Sequence, residues 1–193
     1  NPERAVYTLT GKTNAVGINA IRLDVLPDNS LPAKGPGRVA HGNFVLSELV
    51  VEVATTADFA DARKLEFVSA KADFEQADKP WLAKNVLDGK EDTGWAIGPQ
   101  YGKEHWLVGS LKEPVGKEGA TTYFRMRLSQ QYGQQHTIGR FKLSLQTGLE
   151  PETVIPEAIQ KLLAVKPEQR NEVQKQQLLD HFSGIEPTTK EFV

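Results

Sequence analysis

Apolar and polar residues alternate along several stretches of the chain with the two-residue period of a strand that buries one face. The clearest is residues 123–128, where Phe124, Met126 and Leu128 fall on one side and Tyr123, Arg125 and Arg127 on the other. Residues 138–146 repeat the pattern, with Phe141, Leu143 and Leu145 opposed to Arg140, Lys142, Ser144 and Gln146. Further strands are expected over residues 5–10, 18–26, 44–53, 65–70 and 105–111, separated by turn formers such as Pro27-Asp28-Asn29-Ser30 and Lys34-Gly35-Pro36-Gly37. About seven short strands with no long helix between them argue for an antiparallel sandwich rather than a parallel α/β sheet.

The period changes after Gly148. Ile155, Ala158, Ile159, Leu162 and Leu163 follow the i, i+3, i+4, i+7, i+8 spacing of an amphipathic helix. Pro167 interrupts it, Asn171 and Gln174 have the spacing of a capping box, Leu178, Leu179 and Phe182 supply apolar contacts, and Gly184 marks a stop. The organisation read from these patterns is a β-sandwich over residues 1–148 and a helical hairpin, tail or linker over residues 149–193.

Composition narrows the function classes. With 23 basic and 25 acidic side chains the net charge is -2, so nothing draws the whole chain to nucleic acid, and recognition by charge must come from a local patch. No apolar run approaches a membrane span, so no membrane insertion is expected. The absence of cysteine excludes disulfides, thiolate metal sites and a cysteine nucleophile. A start at Asn1-Pro2, with neither methionine nor leader, reads as a boundary inside a longer protein.

The string Asn85-Val-Leu-Asp88-Gly89-Lys-Glu-Asp92-Thr93-Gly94-Trp95 resembles the Asp-Gly…Thr-x-Trp turn of discoidin-type, galactose-binding-like domains, where the turn surrounds a structural calcium ion. Asp88 and Asp92 offer hard carboxylate oxygens and Thr93 a hydroxyl and a carbonyl, ligands that Ca2+ takes; the same residues also make a plain Asx turn without a metal. Trp95 reads as core beneath the loop. In discoidin-like domains a strand similar to Ser47-Glu48-Leu49-Val50-Val51 adds a glutamate ligand. Here Glu48 precedes the Asp-Gly turn, which implies a circular permutation or another topology.

A wider resemblance runs through Ser30-Leu-Pro…Gly35-Pro-Gly-Arg38…Gly42-Asn-Phe-Val-Leu-Ser-Glu48, Asp88-Gly89…Thr93-Gly-Trp95-Ala-Ile97 and Tyr132-Gly133…His136-Thr-Ile-Gly-Arg140-Phe141. It is similar to the middle region of large planctomycete-type multidomain proteins that carry cytochrome c-like domains. That resemblance implies an extracytoplasmic location and neighbouring domains of the same parent chain as partners. Lys142 stands where arginine is expected after Gly-Arg-Phe.

Sugar sites combine an aromatic face with nearby polar forks. Gln100, Tyr101, His105 and Trp106 in one segment, and Tyr132 and His136 in another, carry that mixture. Should the strands around 124–128 and 138–146 be neighbours, Arg125, Arg127, Arg140 and Lys142 converge on one wet face suited to an acidic polysaccharide; otherwise these cations pair with carboxylates of a third strand. The four histidines show no metal-protease spacing, and no nucleophile elbow, phosphate loop or dinucleotide fingerprint is present. The expectation is a non-catalytic carbohydrate-binding module of galactose-binding-like, jelly-roll type. The alternative is a structural spacer between domains.

Overall fold

The computed structural model describes residues 2–76, 80–148 and 157–183. The chain divides after Gly148 into two compact units, Asn1–Gly148 and Leu149–Val193. The first unit is an antiparallel β-sandwich. Its described strands are β1 (Ala5–Thr13), β2 (Ile18–Val25), β3 (Glu48–Ala54), β4 (Arg63–Lys64), β5 (Phe67–Ala72), β6 (His105–Val115), β7 (Thr122–Gln130) and β8 (Phe141–Thr147). They form two four-stranded sheets with orders β1-β7-β3-β4 and β5-β6-β2-β8.

The alternation in β7 places Phe124, Met126 and Leu128 in the core, each flanked in register by inward residues of β3: Val53, Val51 and Leu49. From the other sheet, Ile21, Leu23 and Val25 of β2 meet them, between Leu107 of β6 and Leu143 and Leu145 of β8. Burying these side chains supplies most of the driving force, roughly 1.5–3 kcal/mol for each large aliphatic residue.

The neighbouring of β7 and β8 does not occur. β7 lies between β1 and β3, while β8 is the edge strand beside β2 in the opposite sheet. The chain passes from one sheet to the other between them, and the four cations are divided between two outer surfaces. Each arginine finds an acid. Arg125 Nε donates to Glu52 Oε2 at 2.7 Å, Arg127 lies 3.5 Å from the same oxygen, and Arg140 Nη1 donates to Asp28 Oδ2 at 2.8 Å. Glu52 stands opposite Arg125 in the β3–β7 register, and this hydrogen bond, before any other cause, holds its carboxyl below the ordinary range.

Element boundaries shift where backbone pairing is not that of a ladder. Residues 44–47 run extended before β3 and make an isolated bridge between Leu46 and Trp95; Ile138 similarly bridges Gly37 ahead of β8. The strand expected over residues 65–70 is instead β4 and β5 with buried Leu65 between them.

The connections β2–β3, β5–β6 and β7–β8 leave the strands at one end of the sandwich, because β1, β3, β6 and β8 begin where β2, β5 and β7 finish. Glycines let these connections touch backbone to backbone. A β-carbon on Gly37 would fall on the Asn43 carbonyl, and one on Gly94 on that of Leu46, where the backbone also adopts φ +157.

In the second unit, α1 (Glu157–Ala164) and α2 (Glu172–Ser183) form the helical segment, with a 3-10 turn at Pro167–Gln169 between them. The capping box is made as expected: Gln174 N donates to Asn171 Oδ1 at 2.9 Å, and Asn171 N donates to Gln174 Oε1 at 3.0 Å. Arg170 closes α1 by donating to the carbonyls of Val165 and Leu163. Ile155 and Gly184 lie outside the described residues. Among the described residues no helix is long and apolar enough to cross a membrane.

Candidate functional site

The three connections at the loop end enclose a surface pocket of about 200 Å3. Its walls are aromatic. Trp81 and Tyr132 meet edge to face with centroids 5.0 Å apart, Tyr132 meets His136 at 4.8 Å, His136 meets His41 at 5.5 Å, and His41 meets Tyr101 at 5.0 Å. Asn43 and Gln76 add amides to the same lining, and Val45 and Ala96 are its buried apolar members.

Each wall is fixed by the backbone behind it. Gly42 N donates to Val39 O and Gly37 N to Gly42 O, which forms the turn carrying His41. Asn43 Oδ1 accepts from Ile97 N at 3.2 Å, so the amide NH2 is the donor it offers the pocket. Val45 N donates to His136 O, joining the β2–β3 and β7–β8 connections, Leu46 and Trp95 exchange backbone hydrogen bonds that join β2–β3 to β5–β6, and Gln76 N donates to Ala96 O within the β5–β6 connection. Gln134 and Gln135 take positive φ of 50 and 63, left-handed values that non-glycine residues seldom adopt, where the chain turns to aim Tyr132 and His136 inward.

His136 is buried, and desolvation, ahead of the nearby His41, lowers its pKa below the ordinary histidine value. Its Nδ1 lies 3.2 Å from Gly133 O, which selects the Nδ1–H tautomer and makes Nε2 an acceptor. Among the described residues, the lining holds no carboxylate, lysine or arginine.

Of the sequence candidates, Tyr101, Tyr132 and His136 come together here although they lie on separate connections. The other sugar candidates do not. His105 is buried and structural, with Nδ1 2.8 Å from Asp73 Oδ2 and Nε2 2.9 Å from Gln100 O. Trp106 stands on the outer face of its sheet beneath the Arg22 guanidinium, 5.0 Å from the ring centroid. Gln100 directs its side-chain oxygen toward Lys103 Nζ at 3.5 Å. Arg125, Arg127 and Arg140 are in the ion pairs described above. His41, Asn43, Gln76 and Trp81 carry no local sequence signal for this site; the closest hint is the glycine spacing around 35–42.

The Asp-Gly turn forms a second constellation. Asp88 Oδ1 accepts from Lys90 N at 2.9 Å, and Thr93 Oγ1 donates to Asp88 Oδ2 at 2.8 Å, so the turn is an Asx turn closed by its own threonine. Glu48, from the start of β3, reaches this turn despite its place in the sequence. Its carboxyl is pushed up to about 7, first by burial and further by Asp88, while the N–H groups of Gly89 and Lys90 hold it down in part. Glu48 Oε1 is buried without a hydrogen-bond partner. An orphaned carboxylate oxygen beside a second carboxylate is the donor type a hard cation takes, although the Asp88 oxygens already accept from Lys90 N and Thr93 Oγ1 and the pair supplies only a minority of the six to eight oxygens of Ca2+. No group of three or more acidic or histidine side chains that could hold a metal forms among the described residues, so Asp92 does not complete a carboxylate set. Trp95 is core: fully buried, edge to face on Phe44, with Nε1 donating to Phe74 O at 2.9 Å.

No protein-family model, no curated protein and no solved structure matches the chain.

Proposed function

We propose that the sandwich is a non-catalytic carbohydrate-binding module that recognises a polysaccharide in the loop-end pocket. The observation that carries the reading is the convergence of Trp81, Tyr101 and Tyr132 with amides and imidazoles from three connections in one concavity. Aromatic faces cover the C–H side of a pyranose, and Asn43, Gln76 and the His136 acceptor match its hydroxyls. A preformed concave site with a few convergent polar groups is the usual form of a small-ligand site.

In this reading Ca2+ is a scaffold. Glu48 and Asp88 would hold it, with Thr93 shaping the turn, and binding would neutralise two carboxylates that otherwise repel. The protein works outside the cytoplasm, and its partners besides the glycan are the neighbouring domains of a longer chain, as the planctomycete-type resemblance implies. A spacer role between domains has one observation in its favour: an apolar slot between edge strands β1 and β8, lined by Leu9, Phe124, Met126, Leu143 and Leu145.

Affinity electrophoresis of the full chain through gels containing single polysaccharides tests the reading. Retardation by at least one glycan, with no reducing sugar released from it, is expected. Unretarded migration through every gel favours the spacer, and release of reducing ends identifies an enzyme.

A further inference from the structure

The pocket is specific about what it can take, and the following inference rests on the carbohydrate reading above. We propose that it binds the uncharged terminal residue of a glycan, end-on, and accepts neither an acidic polysaccharide nor the middle of a chain.

Three observations lead there. The first is charge: among the described residues the lining offers amides, phenols and imidazoles but no cation to meet a uronate or sulfate. His136 does not substitute for one, since burial keeps it neutral and its Nδ1 proton is directed to Gly133 O. The three arginines singled out in the sequence lie outside this lining and are already paired, Arg125 and Arg127 with Glu52 and Arg140 with Asp28.

The second is size. A cavity of about 200 Å3 is smaller than the roughly 300–1,000 Å3 that holds a drug-sized ligand, so it accommodates a unit on the scale of one sugar ring. The third is shape. A groove that follows a chain is open at both ends, whereas here the rings stand at steep angles to one another: Trp81 to Tyr132 at 89° and Tyr132 to His136 at 84°. Walls from three connections meet around one ring-sized concavity instead of lying along a continuous face. Tyr132, 43 % exposed, forms the rim together with the exposed His41.

Cyclic oligosaccharides separate the possibilities, because they contain the same residues without an end. We would titrate the full chain by calorimetry with linear and cyclic neutral glucans, with neutral galactan, mannan and xylan oligosaccharides, and with polygalacturonate, alginate and heparin. The expected result is binding of a neutral linear series with no gain beyond the first few residues. The corresponding cyclic compound should be at least about tenfold weaker, and raising salt from about 0.05 to 0.5 M should change Kd by less than about twofold. Trp81→Ala and the rim variant Tyr132→Ala, each checked for folding by near-ultraviolet dichroism, should lose at least about tenfold in affinity, whereas Arg125→Ala and Arg140→Ala should bind as the parent does. Equal affinity for cyclic and linear ligands, or salt-sensitive binding of an acidic polymer, overturns the inference and leaves the carbohydrate reading standing. No binding across the whole panel overturns both.

Discussion

Replacing Glu48 with glutamine isolates the electrostatics of the Asp-Gly turn. The carboxyl rises from its ordinary 4.5 to about 7 in the folded chain, because burial and Asp88 disfavour its charge. The folded state therefore holds this proton more tightly than the unfolded state. The stability it contributes is full below about pH 4.5 and is lost as pH rises through about 7. At pH 8 without metal the ionised carboxylate costs at most about 3 kcal/mol, and the side chain's remaining contact with water reduces this to about 1–2 kcal/mol. Glu48→Gln keeps the shape and the acceptor for the Gly89 and Lys90 N–H groups while removing the charge. In chelator at pH 8 it should melt about 3–8 °C higher than the parent, and near pH 4.5 the two should nearly coincide. Calcium should reverse the order, raising the melting temperature of the parent by mass action and leaving the variant unmoved. Thermal melts from pH 4.5 to 8.5, with chelator and with Ca2+, read all of this. A variant less stable than the parent by the same amount at every pH in chelator would refute the reasoning.

Gly37→Ala should destabilise the sandwich by about 3 kcal/mol or more, since its β-carbon would overlap the Asn43 carbonyl; chemical denaturation measures it. His136 holds its proton less tightly when folded than when unfolded, so it withdraws stability as pH falls below about 6.5, and His136→Gln should flatten that decline between pH 7 and 5 in denaturant titrations. Arg140→Ala should leave the urea unfolding midpoint nearly unchanged, because its pair with Asp28 is exposed, and a clear loss of stability would show that this pair does more than the geometry indicates.

The sandwich was legible where burial is one-sided. The alternation in residues 123–128 reports directly which face of β7 meets the core, and the Asn171–Gln174 spacing reports a cap made entirely within four residues. Strand partnership was not legible, because adjacency along the chain does not determine adjacency in a sheet, and a single crossing between sheets separated Arg125 and Arg127 from Arg140 and Lys142. The same holds for Glu48: its order in the sequence argued against the Asp-Gly turn, but the antiparallel path through β3 returns it there. His105 has the sequence character of a surface residue, yet Asp73 and the Gln100 carbonyl satisfy both ring nitrogens and allow its burial. Half of the pocket was hidden for a further reason. His41, Asn43, Gln76 and Trp81 acquire their role only when three connections pack against one another, an event recorded in the sequence mainly by the glycines that permit it.

The most direct test of the loop-end site is a heteronuclear NMR titration of the isotope-labelled full chain with the neutral oligosaccharide that binds best. The largest shifts should fall on the Trp81 indole and the backbone amides of His41, Asn43, Tyr101, Tyr132 and His136, with the outer sheet faces quiet. Shifts centred on Trp106 and Arg22, or on Arg125 and Arg127, with an unperturbed loop end, would contradict this assignment.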